Sequence, residues 1–173
     1  MSSRVRLSPL EAADGHALFR WVNDRDLRVL AAPYAPVHEV GHRAWLAGLA
    51  DRDDLIVFGI RLCENDRLIG TCQLQNISAL HRSADIQIRI GEPDCRARGY
   101  GTEAIRSLVR FAFHDRQLHR LGLQVFAHNT AAMRCYEKVG FVREGVQRSS
   151  VFIDGRYVDV VLMGLLHSEY RND

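Results

Sequence analysis

Apolar residues recur along this chain with two periods, and the alternation between them lays out the elements. "RVRLSPL" alternates and stops at Pro9, which predicts a short first strand. "LEAADGHALFRWVND" carries Leu10, Ala13, Ala17, Leu18 and Trp21 at helical spacing. The Pro-containing loop "AAPYAP" follows, and residues 38 to 50 read as a second helix. "DLIVFGIRLC" and "RLIGTCQLQNI" are apolar runs of strand length joined by the turn-like "ENDR". "ADIQIRIG" alternates through Ile86, Ile88 and Ile90, and "RLGLQVFA" through Leu121, Leu123 and Val125. Between them, "GTEAIRSLVRFAFHD" puts Ile105, Leu108, Val109 and Ala112 on one helical face. "TAAMRCYEKVG" repeats that spacing with Ala132, Cys135, Tyr136 and Val139, and Gly140 supplies a left-handed helix end. The tail "FVREGVQRSSVFIDGRYVDVVLMGLL" reads as two strands turned at Asp154-Gly155, a strong hairpin signal.

The resulting order is β-α-α-β-β-β-α-β-α-β-β. Strands joined by short turns predict an α/β (α+β) fold: a mixed, largely antiparallel twisted sheet with about four helices packed on it. With 173 residues the chain is expected to form one domain, 1–173, around one core. Composition changes this picture little. The formal net charge of +2 gives no electrostatic reason to expect nucleic acid or a membrane surface as a partner. The N-terminus has no apolar secretory region, and no run reaches the roughly eighteen apolar residues of a membrane span. Cys63, Cys72, Cys95 and Cys135 are scattered and never form C-x-x-C, as expected for reduced thiols in a cytoplasmic protein.

Two segments carry candidate chemistry. The first is H-E-x-x-H at His38, Glu39 and His42, the spacing of a zinc hydrolase. A working site needs a third ligand and a zinc-bound water. Trp45 and Gly48 stand where an extended motif would have Gly and His, and Glu64 lies in a turn between strands. Gly41 within the string weakens the helix by roughly 1 kcal/mol. The expectation is no metal: the three residues sit on a surface helix whose Trp45 and Leu46 face the core. The second segment is "IQIRIGEPDCRARGYGTEAIRSLVRF", a strand, a loop and a glycine-rich helix entry. The first turn of a helix has unpaired N–H groups and a positive dipole end, and glycine lets a ligand approach the backbone. Arg96, Arg98, Gly99, Tyr100, Gly101 and Thr102 therefore suit an anion cradle for a pyrophosphate. The spacing is neither Walker A nor the Rossmann fingerprint. A glycine N-cap with two solvated arginines is the plain alternative.

R-x-x-G-x-G at 96 to 101, followed by N-x-x-A-x-x-x-Y-E-K-x-G-F at 129 to 141, resembles the GNAT superfamily of acetyl-CoA-dependent N-acetyltransferases. The similarity spans nearly the whole chain and is greatest to ribosomal-protein N-terminal and spermidine acetyltransferases. "HRSADIQIRIG" resembles the polyamine enzymes in particular; Arg96 departs from a commoner Gln. The resemblance implies a splayed central strand pair, with backbone groups of Ile88, Arg89 and Ile90 pairing with the pantetheine arm of acetyl-CoA. It implies pyrophosphate on the N–H groups from Arg98 to Thr102, with Arg96 as a phosphate neighbour and Asn129 near the acetyl end. Asn129 also suits a helix N-cap. Tyr136 matches the tyrosine that protonates the departing thiolate; its plain alternative is a packed core residue. Asp85 stands where a glutamate is frequent, and would drain the amine's proton through a water. It could equally be an exposed strand-end carboxylate. An α-amine of pKa about 8 is roughly one-tenth neutral at pH 7, whereas an alkylamine near 10.4 is neutral in about one molecule in 2,500, so the need for a base depends on the acceptor.

The expected activity is direct acetyl transfer to an amine, either a protein N-terminus or a small molecule, by a monomer or a homodimer. A polyamine acceptor is the alternative; Gln73, Gln75 and Asn76, where polyamine enzymes carry acids, count against it. A non-catalytic acyl-CoA sensor is the alternative from another class.

Overall fold

A computed structural model describes residues 3–171. The chain runs β1 (Val5–Ser8), α1 (Gly15–Val22), α2 (Arg25–Arg28), α3 (Glu39–Ala47), β2 (Ile56–Leu62), β3 (Leu68–Ser78), β4 (Ser83–Ile90), α4 (Tyr100–Arg110), β5 (Arg120–Phe126), α5 (Thr130–Val139), β6 (Val142–Ile153) and β7 (Arg156–Leu166). All seven strands form one sheet in the order β1-β2-β3-β4-β5-β7-β6. Every neighbouring pair is antiparallel except β4 and β5, which are parallel. Asp154 and Gly155, with φ angles of 48° and 78°, both take left-handed backbone and reverse the chain in the β6–β7 hairpin.

The sheet separates two environments. On one face α4 and α5 lay Ile105, Leu108 and Tyr136 against Cys72, Leu74 and Ile86, forming the main core. On the other face, α1 and α3 cover alternate residues of β3 and β4, among them Thr71, Gln73, Gln87 and Arg89. The strict period of a strand puts these two sets on opposite sides.

Three local expectations are corrected. The first helix does not run continuously: Ala12–Asp14 is a 3-10 turn, α1 ends at Val22, and α2 starts anew, giving five α-helices among the described residues. Asp24 causes the second break, because its Oδ1 accepts the Leu27 N–H at 3.1 Å and so caps a new helix. The α4 helix ends in a π-helical turn over Phe111–Asp115. In α3 His42 and Trp45 exchange their expected environments, while His38 and Glu39 are exposed and Leu46 packs against Leu18 and Trp21, as expected. His42 is 6% exposed, while Trp45 is 40% exposed. His42 can be buried because its Nε2–H donates to the Gly15 carbonyl at 3.2 Å and its ring lies against Phe19 and Trp45.

A buried ion pair ties the first turn to the sheet. Arg61 Nη2 donates to both oxygens of Asp14 at 2.8 Å, Nε donates to Ser8 Oγ at 3.1 Å, and both charged residues are buried. Asp14→Ala leaves the Arg61 guanidinium buried without its partner, so it should lower unfolding stability by about 3–5 kcal/mol. Urea denaturation checks this; a loss under about 1 kcal/mol would mean that Glu11, 3.7 Å from Arg61, or water takes over.

Candidate active site

The site begins where β4 and β5 part. They pair only at Ser83–Arg120, Ala84–Leu121 and Asp85–Gly122. Beyond Gly122, β5 stays with β7 as far as Phe126, while β4 stays with β3 as far as Ile90. The edge of β4 that would have faced β5 therefore lacks a ladder partner from Ile86 onward. A cavity of about 390 Å³ opens in the wedge, lined by Asp85, Ile88, Gln124, Asn129 and Tyr136 with Leu30 across from them.

Four of the expected residues meet there: Ile88 on the unpaired edge of β4, and Tyr136, Asn129 and Asp85. Tyr136 is carried on α5, its ring buried in the main core and set edge-on to Phe141 at 5.8 Å. Its hydroxyl takes no hydrogen bond among the described residues, and burial pushes the phenol above its ordinary pKa, with the neighbouring Cys135 adding to the effect. Asn129 caps α5: Oδ1 accepts the Ala132 N–H at 3.2 Å and Nδ2 donates to the Leu30 carbonyl at 3.4 Å. Asp85 accepts from Asn76 Nδ2 at 2.9 Å, and its Oδ1 would be 2.8 Å from a Cβ placed on Gly122. Glycine at 122 thus leaves room for this carboxylate at the apex of the wedge.

At the open end of the wedge lies the α4 N-terminus. Gly99 is its N-cap with φ of 87°, and the first bond inside the helix runs from Glu103 N–H to the Gly99 carbonyl. The N–H groups before Glu103 have no helical acceptor, as at any helix start. Arg98 is exposed. Thr102 Oγ1 donates to Cys135 Sγ at 3.4 Å and links α4 to α5. Arg96 is committed to the loop: Nε donates to the Ile90 carbonyl at 3.2 Å and Nη2 to the Gly91 carbonyl at 2.8 Å, with Asp24 at 3.7 Å. Arg4, not singled out from the sequence, braces the cradle. It donates to the Arg98 carbonyl and to Glu103, and stacks on Tyr100 at 4.8 Å.

Residues 4–142 match the family model of the acetyltransferase (GNAT) domain. The chain belongs to the GNAT acetyltransferase family. A spermidine N(1)-acetyltransferase of Vibrio cholerae is 39% identical to it over 105 residues, 61% of this chain and 60% of that protein. The spermidine N(1)-acetyltransferase of Escherichia coli (strain K12) is 31% identical over 108 residues, 62% of this chain and 57% of that one. The chain thus matches these curated relatives over about 60% of their length. A crystal structure of the spermidine N-acetyltransferase from Vibrio cholerae in complex with CoA and spermine superposes with a TM-score of 0.92 at 28% identity, covering 98% of this chain and 99% of that one.

Within this GNAT domain the unpaired β4 edge runs from the Tyr136 cavity to the cradle, where a Cβ on Gly101 would lie 3.8 Å from Ile90, whereas the H-E-x-x-H residues belong to α3 on the other face of the sheet. His38 caps α3 at the surface, Glu39 pairs with Arg43 at 2.6 Å, and His42 is held by Gly15. No group of three or more His, Cys, Asp or Glu side chains among the described residues is placed to hold a metal ion. All four cysteines are free thiols, and burial pushes Cys72 well above its ordinary pKa. Sequence reasoning placed Arg89 here for its backbone. Its side chain turns to the opposite face of the sheet, into a second cavity with Arg28, which carried no motif to mark it.

Proposed function

We propose that this GNAT domain transfers an acetyl group from acetyl-CoA directly to an amine, a protein N-terminus or a small molecule. The observation that carries the reading is the parted β4–β5 pair, with Tyr136, Asn129 and Asp85 lining the wedge that opens onto the α4 N-terminus. The residues present fit the co-substrate. Unpaired N–H groups between Arg98 and Thr102 suit a pyrophosphate, and the β4 edge at Ile88, Arg89 and Ile90 offers backbone donors and acceptors to an amide-bearing arm. One carbon–nitrogen bond forms and one carbon–sulfur bond breaks. The proton lost by the amine is matched by the one gained by the thiol.

In this scheme Tyr136 donates a hydrogen bond toward the sulfur as charge develops there, and Asp85 receives the amine's proton through water. No covalent enzyme intermediate is needed, so Cys95 and Cys135 take no part. Residues 1–173 act as one domain in the cytoplasm, alone or as a homodimer. A polyamine acceptor is the second reading, favoured by the spermidine acetyltransferases among the relatives. The test is thiol release from acetyl-CoA across a panel of amines: spermidine, a peptide with a free N-terminus, and small amines of either charge. Turnover with one class names the acceptor. A thermal shift with acetyl-CoA but no thiol release with any amine would leave an acyl-CoA sensor instead.

A further inference from the structure

The second cavity, also about 390 Å³, lies on the α1–α3 side of the sheet. It adjoins the wedge, because Gln87 and Ile88 line both. Its wall holds two arginines that differ from the others in the chain. Neither the Arg28 nor the Arg89 guanidinium has a hydrogen bond or an ion pair among the described residues. Both side chains are half-buried, and Arg28 Nε is fully buried without a partner. Every other described arginine that lacks a partner is exposed and can be satisfied by water. Burial, and next the charge of Arg28, pull Arg89 below the ordinary guanidinium pKa, while Asp24 acts the other way. Asp24 itself is occupied: Oδ1 caps α2 and Oδ2 faces Arg96 at 3.7 Å. The remaining titratable neighbour, His42, is bound to Gly15.

Two half-buried cations whose one acidic neighbour, Asp24, is already engaged elsewhere are costly to keep unless an anion completes them. A guanidinium presents a planar fork that matches a carboxylate. The rest of the wall is apolar and neutral, with Leu18, Val22, Val37 and Trp45 facing Thr71 and Gln73. From Arg89 to Asp85 is four residues of β4, roughly 13 Å of extended chain. A molecule anchored at Arg28 and Arg89 that projects past Gln87 toward the wedge must hold its amine several ångströms from its carboxylate, as a dipeptide does and a single α-amino acid does not.

Resting on the acetyl-transfer reading, we propose that the acceptor is a small amine carrying a carboxylate and an apolar body, its carboxylate held by Arg28 and Arg89 and its amine directed toward Asp85 and Tyr136. Spermidine, with several positive charges, meets the wrong sign of wall.

The test compares kcat/KM for the dipeptides leucyl-leucine and phenylalanyl-leucine with that for their C-terminal amides and for spermidine. The free acids should exceed the amides by about 10²-fold. Arg28→Gln with Arg89→Gln should reduce that preference to within about threefold, the loss falling on KM for the acid. Arg89→Lys should restore part of it, which a merely structural role would not predict. Three results would overturn the proposal: equal kcat/KM for acid and amide, spermidine outperforming every acid, or substitutions that raise KM for acetyl-CoA instead of the acid. The last would assign the two guanidiniums to the co-substrate's phosphates. If no amine releases thiol, the transfer reading fails and binding decides. Stabilisation of the protein by leucyl-leucine over its amide, lost in the double variant, keeps the anion site; no difference between the two removes it.

Discussion

Tyr136→Phe should lower kcat by about 10²-fold, with KM for acetyl-CoA little changed and the melting temperature not reduced. The three parts follow from one geometry. The ring fills the core between α5 and the sheet and sits edge-on to Phe141, and phenylalanine keeps all of that. The hydroxyl takes no hydrogen bond among the described residues, so removing it orphans no protein group. Loss of a buried, unpartnered hydroxyl is neutral or stabilising. What disappears is a neutral donor facing the cavity. Burial raises the phenol above its ordinary value of about 10, so Tyr136 stays protonated throughout the neutral range. From that raised pKa, full proton release to a thiolate of pKa about 8.5 is uphill. Its contribution is a hydrogen bond that strengthens as the sulfur gains charge, with the surplus proton of the attacking amine completing the thiol. For the same reason deprotonation of Tyr136 should cause no descending limb in the pH–rate profile below about pH 10. Steady-state kinetics and a thermal melt of this variant check both sides. A kcat within about threefold of the unaltered protein, or a lowered melting temperature with kcat preserved, would make Tyr136 a packing residue only.

Gly99→Glu should abolish acetyl-CoA binding, seen as loss of the thermal stabilisation that the co-substrate gives the unaltered protein. Gly99 has φ of 87°, a conformation that L side chains rarely adopt, and a Cβ there would come within 3.1 Å of Arg4 Nη2. The added carboxylate would stand at the positive end of α4, where the proposed pyrophosphate belongs, and repel it. Gly99→Ala separates the two effects. It carries the backbone cost, on the order of 1–2 kcal/mol, without the charge, so it should melt lower but still respond to acetyl-CoA. Equal shifts in Gly99→Glu and the unaltered protein would remove the cradle from the site.

Much of this molecule was legible in residue order because it is written in short-range signals. A strand declares itself by alternation over a few residues, as at Ile86, Ile88 and Ile90, and a helix end by one glycine, as at Gly140 with φ of 108°. The Asn129 cap lies three residues from the N–H it accepts, and the Gly99 turn is contiguous with the helix it opens. All seven strands and the α4 cradle belong to this class. The family resemblance added the parting of β4 and β5, which periodicity could not supply, since a strand's pattern does not say which neighbour it leaves.

The rest depends on partners far apart in the chain. Periodicity marks Trp45 and His42 alike as members of a helix, but which of them is covered depends on how α1 packs: Gly15, 27 residues away, supplies the carbonyl that lets His42 be buried. The break between α1 and α2, by contrast, carries a local signal that periodicity masks: Asp24 lies three residues from the N–H it caps, inside an apolar pattern that otherwise continues. Asp14 and Arg61 are 47 residues apart and read separately as ordinary surface charges. Arg28 and Arg89 stand in unrelated segments, one on a single-turn helix and the other inside a strand valued for its backbone. Their shared cavity exists because β4 places its odd-numbered side chains on the α1–α3 face while α2 closes over it. Backbone hydrogen bonding acts over a few residues and leaves a local trace in the sequence. Burial and charge neutralisation act through space, so the pairing of these two cations becomes visible once the sheet has brought them together.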